Sequence, residues 1–300
     1  MQPDASVVIP AYNSQDILPY CLSSLIEQTT NPATYEIIVV DDGSTDLTPE
    51  VVKDFINKAP CNLSYIRLER SGRSRARNTG VMAAKGKFII FLDSDMIVRR
   101  EFIKSHLSAH TRQGLIVNGS VINTEKPADP NRKSKQVNDF SRAFFATGNV
   151  SVERDKLIEA GLFDEDFVEY GWEDLELGQR LRRLGLKRIK SLTAWSYHVQ
   201  APITYEKVPG ILKKEKERGH TAVLFYRKDS SFRVKMTTLI SPVFFIWVKF
   251  LTPFRWPERP GAIRLLKFLE KNGCKFTFNL ILAIMRSYAY VDGIKEALVK

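Results

Sequence analysis

Three unbroken apolar runs punctuate the first hundred positions, at residues 6–10 (SVVIP), 36–40 (EIIVV) and 88–92 (FIIFL). A sheet with one wet face would alternate apolar and polar residues. Continuous runs instead predict strands buried on both faces of a mostly parallel sheet. Between them, residues 15–27, 46–57 and 73–84 read as helices, each preceded by polar or glycine-containing turn residues. The strand–helix–strand–helix–strand order predicts a doubly wound α/β domain, whose ligands gather at the carboxyl ends of the strands. All three runs end in polar or turn residues: Ala11-Tyr12-Asn13, Asp41-Asp42-Gly43-Ser44 and Asp93-Ser94-Asp95. The chemistry is expected there.

From residue 115 to about 199 the alternation is less regular. Strands are expected at 115–122 and 149–152, a helix near 172–184, and a strand-like segment at 194–197, as a mixed-sheet continuation closing over the crevice. Beyond residue 200 the pattern changes. Residues 239–254 (LISPVFFIWVKFLTPF) are apolar and aromatic but contain Pro242, Lys249 and Pro253, and residues 276–291 include Asn279 and Arg286. Both fall short of the roughly 20 clean apolar residues of a spanning helix. They predict amphipathic helices in a membrane interface, with Lys and Arg toward headgroups and Trp247 and Trp256 inserted. Packing against the α/β domain or another subunit, and a shallow re-entrant hairpin, are the alternatives.

Charge sharpens this division. Residues 1–200 hold 26 Lys and Arg against 26 Asp and Glu, whereas residues 201–300 hold 19 against 8, so the last hundred carry the whole net charge of +11. A neutral working domain is followed by a segment facing something anionic, either a membrane surface or nucleic acid. The 300 residues suit one α/β domain plus an appendage. Cys21, Cys61 and Cys274 are widely spaced, without a CxxC pairing, which argues against a disulfide framework or a cysteine zinc site. The opening residues show no basic region followed by a long apolar stretch, so no secretory signal is expected and the chain starts in the cytosol.

Asp93 and Asp95 lie two apart at a strand end, so both carboxylates project to one side with Cα atoms roughly 6.6 Å apart. A diphosphate with Mg²⁺ or Mn²⁺ needs hard oxygen ligands and only one or two protein carboxylates, because phosphate and water fill the shell. A lone Asp-x-Asp is as readily a solvated turn. The second acidic turn, Asp41 to Asp46, changes that weighing, and no P-loop or GxGxxG stands in as a phosphate cradle. Asp41 is placed to accept a hydrogen bond from a base or ribose; Thr45 and Asp46 are equally candidates to cap the next helix. The run from Tyr170 to Leu181 places acids at a helix start, where they could simply complement the dipole.

SVVIPAYN, VVDDGSTD, GRSRARNTG and FLDSDM, in this order and spacing, resemble the signatures of family-2 glycosyltransferases over residues 6 to 200. The resemblance implies a GT-A fold with a mostly parallel central sheet, here followed by a helical basic C-terminal appendage. It divides residues 1–200 into a nucleotide-binding part, about 1–112, and an acceptor part, about 113–200; beyond residue 200 the resemblance fades, and composition alone suggests that 201–300 is a helical, basic region that could associate with a membrane. It implies that Pro10, Tyr12 and Asn13 flank the nucleotide, that Asp41 contacts the uracil or its equivalent, and that Arg77 approaches the donor. Asp93, Ser94 and Asp95 become the DxD motif, with Asp95 on the metal and Asp93 near the ribose. The segment Gly171-Trp172-Glu173-Asp174 is similar to β-1,4-galactosyltransferase-like and chondroitin-polymerase-like enzymes, which makes Asp174 the general base. Glu173, about 100° away on the helix, is left to bind sugar hydroxyls. Trp172 and Tyr170 offer faces for a sugar ring or for ordinary packing. His198 completes a metal shell, and Gly148 and Asn149 line the sugar pocket.

The implied reaction is an inverting, metal-dependent transfer of a hexose or N-acetylhexosamine from a nucleotide sugar, expected to be a UDP-sugar. One carboxylate takes the acceptor proton, and no second acid protonates the leaving group, unlike a glycosidase. The acceptor is a glycan or lipid-linked hydroxyl at the inner face of the membrane. A nucleic-acid-binding module is disfavoured because the positive charge lies outside the pocket and no RNA-recognition signature occurs. A non-catalytic nucleotide-sugar sensor is the remaining alternative, separable by turnover.

Overall fold

A computed structural model describes residues 2–129, 131 and 143–299, which divide into two compact units: residues 1–168 with 173–201, and residues 169–172 with 202–300. The first unit is an eight-stranded sheet in the order β3-β2-β1-β4-β7-β6-β8-β5. Its strands are β1 (Ala5–Ala11), β2 (Tyr35–Asp41), β3 (Asn62–Arg67), β4 (Phe88–Leu92), β5 (Met96–Val98), β6 (Leu115–Thr124), β7 (Asn149–Glu153) and β8 (Lys187–Val199). Its helices are α1 (Leu18–Ile26), α2 (Thr48–Ile56), α3 (Arg73–Ala83), α4 (Phe102–Ala109), α5 (Arg154–Glu159) and α6 (Glu173–Arg183).

β1 to β4 pair in parallel, and the apolar runs are buried on both faces, as their continuity predicts. Val7, Ile9, Ile37, Val39, Ile90 and Leu92 enter a core covered by α1 and α4. Their neighbours Val8, Ile38, Val40, Ile89 and Phe91 enter a second core with Ala76 and Val81 of α3 and Leu177 and Leu181 of α6. Adjacent side chains on a strand point to opposite faces, so each run serves two cores at once.

The three expected early helices form with shorter ends. Residues 15–17 remain outside α1 because the loop backbone is already engaged: Ser14 N–H donates to Thr48 Oγ1 (2.8 Å) and Gln15 N–H to Asp46 (3.1 Å). Three strands exceed the sequence expectation, β3, the three-residue β5 and the first part of β8. β3 is an edge strand with partly exposed polar positions, so it lacks an apolar run. β8 extends to residue 187, its first half being Lys187-Arg188-Ile189-Lys190, and it pairs in parallel with β6 across a register shift at Gly119/Ser120.

The second unit is helical: α7 (Val208–Lys228), α8 (Phe232–Thr238), α9 (Pro242–Leu251), α10 (Pro260–Lys271) and α11 (Lys275–Val299). Val208, Ala262, Leu266, Leu269, Phe278, Leu282 and Met285 form its core. Helices α7 and α11 cross where Gly219 and Gly293 leave no room for a Cβ against the facing backbone. The expected apolar stretch began at Leu239. Extended back, Phe232–Leu251 is 20 residues, long and apolar enough to cross a membrane by length and composition. It is nevertheless two helices, broken at Leu239 (φ 54°).

Gly43 holds the turn after β2 at φ 76°, and a Cβ there would lie 2.9 Å from the Arg70 backbone nitrogen. Gly43→Ala is therefore expected to lower unfolding free energy by about 1–3 kcal/mol, read as a reduced urea midpoint at unchanged slope.

Candidate active site

Strand register assembles the site within the first unit. Ala11 pairs with Asp41, so the loops after β1 and β2 lie side by side. Asn13 (φ 48°) receives its place from this contact: its N–H donates to Ser44 Oγ (2.9 Å) and its Oδ1 accepts from Thr45 N–H (2.9 Å). Tyr12 is 42% exposed, with the Arg70 guanidinium over its ring at 3.3 Å. Pro10, the last but one residue of β1, is half-buried.

Leu92 pairs with Asn149 and Met96 with His198. These two pairings, one on each side of the acidic turn, bring Gly148 and His198 to it. His198 Nε2 lies 3.1 Å from Asp95 Oδ2, while Asp95 Oδ1 is buried with no hydrogen-bond partner. A Cβ on Gly148 would meet Asp93 Oδ2 at 3.3 Å, so glycine lets the backbone approach the acid. Ser94 shares a hydrogen bond with Ser14 (3.1 Å). Burial works against a charge on His198, but the hydrogen bond and charge of Asp95 outweigh it and raise its pKa.

Arg77, one turn into α3, is 2% exposed and links the two acidic segments. Its Nη2 lies 3.2 Å from Asp93 Oδ1 and its Nη1 3.0 Å from Glu173 Oε1. Burial disfavours its charge, but Asp93, Glu173 and Asp174 more than compensate, and its pKa rises. Asp174, next along α6, has a raised pKa because burial and the neighbouring Glu173 disfavour a second negative charge, against the opposing pull of Arg77. A carboxylate held this way is a stronger base than an exposed one.

Two expectations need correction, those for Asp41 and Trp172. Asp41 is not presented to a base: it is fully buried, with its oxygens taken by Ser44 N–H (2.8 Å) and Tyr65 O–H (2.6 Å). Asn149 is among the residues that line a cavity of about 60 Å³ with Gly148, while its amide is buried against His106, Ser196 and the Ala194 and Ser120 carbonyls. Trp172 is packing, at 6% exposure, with its indole N–H donating to Arg218 O (2.9 Å) inside the second unit. Arg70 on Tyr12 is a candidate site residue that went unrecognised, as are Arg188 and Lys190, which share a cavity of about 60 Å³ with Gly148. The alternation of basic residues with Ile189 was the available strand signal. A larger cavity, about 880 Å³, opens beside Asp4, Lys87 and Glu153 and holds none of the motif acids.

The residues fit a divalent cation: a hard carboxylate oxygen without a partner and an imidazole beside it. Among the described residues no cluster of three or more His, Cys, Asp or Glu could hold a metal alone. Such a two-ligand set suits a cation whose remaining ligands come from a diphosphate and water.

A mixed sheet with acids gathered at the carboxyl ends of its parallel strands is the α/β arrangement whose ligands bind in the crevice there. Residues 6–163 match glycosyl transferase family 2, and the chain belongs to that family. It is similar to validoxylamine A glucosyltransferase of Streptomyces hygroscopicus subsp. limoneus, with 30% identity over 68% of this chain and 53% of the relative. It is also similar to chondroitin synthase of Escherichia coli, with 31% identity over 66% of this chain and 35% of the relative. The chain thus spans about half or less of the length of these two relatives. Among solved structures, the mannosyltransferase PcManGT from Pyrobaculum calidifontis in complex with GDP-Man and Mn²⁺ superposes with a TM-score of 0.65 at 16% identity, covering 99% of this chain and 88% of that one. The fold is GT-A, with a helical C-terminal region.

Arg77→Met should destabilise the protein by about 3–5 kcal/mol by leaving Asp93 and Glu173 uncompensated. Asn149→Ala should cost about 1–3 kcal/mol through unpaired buried groups. Chemical denaturation of both variants measures this.

Proposed function

We propose that this protein is an inverting, metal-dependent glycosyltransferase that moves a hexose or N-acetylhexosamine from a nucleotide sugar, with a UDP-sugar the expected donor, to an acceptor hydroxyl of a polysaccharide or lipid-linked glycan. The observation that carries the reading is Arg77, whose one guanidinium binds Asp93 at the end of β4 and Glu173 at the start of α6. The acids suited to the donor and the acid suited to the acceptor thereby belong to one site.

Asp95 and His198 would hold Mn²⁺ or Mg²⁺. When bound, the cation neutralises the charge that builds on a departing diphosphate. Asp174 accepts the proton of the attacking hydroxyl, its Oδ1 held by the Leu175 N–H (2.8 Å), and Glu173 serves acceptor or donor-sugar hydroxyls. Gly148, whose backbone abuts Asp93, leaves room for the sugar. Tyr12, Asn13, Pro10 and Ser94 frame the nucleotide side, with Arg70 adding positive charge on Tyr12. The names of the relatives, a glucosyltransferase and a chondroitin synthase, support a hexose or amino-sugar substrate. We place the protein at the inner face of the membrane, in contact through residues 201–300.

Asp174→Asn should lower transfer by roughly 10²–10⁴-fold while calorimetric binding of nucleotide with Mn²⁺ stays within twofold. Equal loss of both contradicts the base assignment. Because Asp174 works deprotonated and its pKa is raised, transfer should fall with acidification at a higher pH than an ordinary carboxylate would give. A flat profile down to pH 5 contradicts this. Chelator should abolish transfer, and Asp95→Asn or His198→Ala should raise the Mn²⁺ needed for half-maximal rate by at least roughly tenfold, a loss typical even of groups that only orient a ligand.

A further inference from the structure

Large apolar side chains recur along α8, α9 and the turn that follows at helical spacing: Phe232, Met236, Leu239, then Val243, Ile246, Trp247, Phe250 and Phe254. The last five are 52–85% exposed. Their exposure does not mark a loose segment. On the opposite side Val234, Thr238, Val248 and Thr252 are buried, and Tyr290 of α11 donates its hydroxyl to the Thr238 carbonyl at 2.5 Å. Each helix also has a serine cap, Ser231 accepting from Val234 N–H and Ser241 from Phe244 N–H. The second unit therefore holds these helices by one face and presents the other, apolar face to its surroundings.

Charge within this segment has one sign. From residue 230 to 257 there is no Asp or Glu, while Arg233, Lys235, Lys249 and Arg255 supply four cations. Arg255 is paired with Glu258 (2.7 Å); Arg233, Lys235 and Lys249 lie exposed beside the apolar row. A surface made to pack against a second copy or a folded partner would be expected to carry complementary charges of both signs. Aromatic and aliphatic side chains in a segment whose own charges are all Lys and Arg suit the boundary between acyl chains and anionic headgroups.

The backbone decides between lying on a bilayer and crossing it. α8 and α9 have 7 and 10 residues, and Leu239 in the left-handed region separates them. The longer covers about 15 Å, half of the ~30 Å hydrocarbon core. We propose that the α8–α9 face is a docking surface for an anionic phospholipid bilayer, into whose interface Ile246, Trp247, Phe250 and Phe254 insert without spanning it. This rests on the membrane location proposed above and specifies its residues and its lipid chemistry.

The test is co-sedimentation of the purified full chain with vesicles of phosphatidylcholine containing 30% phosphatidylglycerol, or of phosphatidylcholine alone, in the absence of any donor sugar. The expected result is at least tenfold stronger partition onto the anionic vesicles, lost in 0.5 M salt, with a blue shift of tryptophan emission that Trp247→Phe removes. Ile246→Asp with Phe250→Asp should reduce partition at least tenfold, as should Arg233→Gln with Lys235→Gln and Lys249→Gln. Both variants should retain the wild-type circular dichroism spectrum and hydrolysis of the donor in detergent. Equal binding to both vesicle types, no binding by the wild type, or a stable dimer that the Asp substitutions dissociate would each overturn the proposal. Donor turnover is scored separately, so vesicle binding without turnover rejects the enzymatic reading and leaves this surface intact.

Discussion

A single buried guanidinium organises the first unit. Arg77 lies between the acid that ends β4 and the acid that opens α6, residues 80 positions apart in sequence, and satisfies both at about 3 Å. A buried ion pair is weak evidence of stability, because desolvation offsets much of the attraction. Its value lies in geometry. Removing either carboxylate or the guanidinium would leave charge uncompensated, so the three elements α3, β4 and α6 are constrained to one arrangement. The raised pKa of Asp174 comes first from its burial in that arrangement and then from the adjacent Glu173, against the pull of Arg77.

The same logic explains which parts of the architecture were readable from residue order. The runs at 6–10, 36–40 and 88–92 became β1, β2 and β4 because strands buried on two faces leave no polar alternation to obscure them. β3 was hidden by the opposite circumstance, an edge position with Asn62 and Arg67 exposed. The first half of β8 was hidden by its basic residues, and the contact between His198 and Asp95 depends on the pairing of β8 with the three-residue β5. Such a register has no local signal.

Motif residues divided along a physical line. Asp93 and Glu173 meet on Arg77, and Asp95 meets His198. Asp41, Asn149 and Trp172 lie equally within the motifs, yet their polar groups are spent internally. Asp41 fixes the loop between β2 and α2 through Ser44 and ties it to β3 through Tyr65. Asn149 satisfies the interior where β6, β7 and β8 meet. A motif position can therefore shape a site without touching its ligand, and composition cannot distinguish the two roles. Only the count of hydrogen-bond partners does so.

The central claim is that the cation-binding pair and the base face one substrate across the Arg77 link. The most direct measurement is a crystal structure of the protein with Mn²⁺ and a non-transferable UDP-sugar analogue. The account predicts Mn²⁺ bonded to Asp95 and His198 and to the diphosphate, with the Asp174 carboxylate on the face of the anomeric carbon opposite the leaving oxygen. Mn²⁺ bound elsewhere, or Asp174 on the same side as the diphosphate, would contradict it.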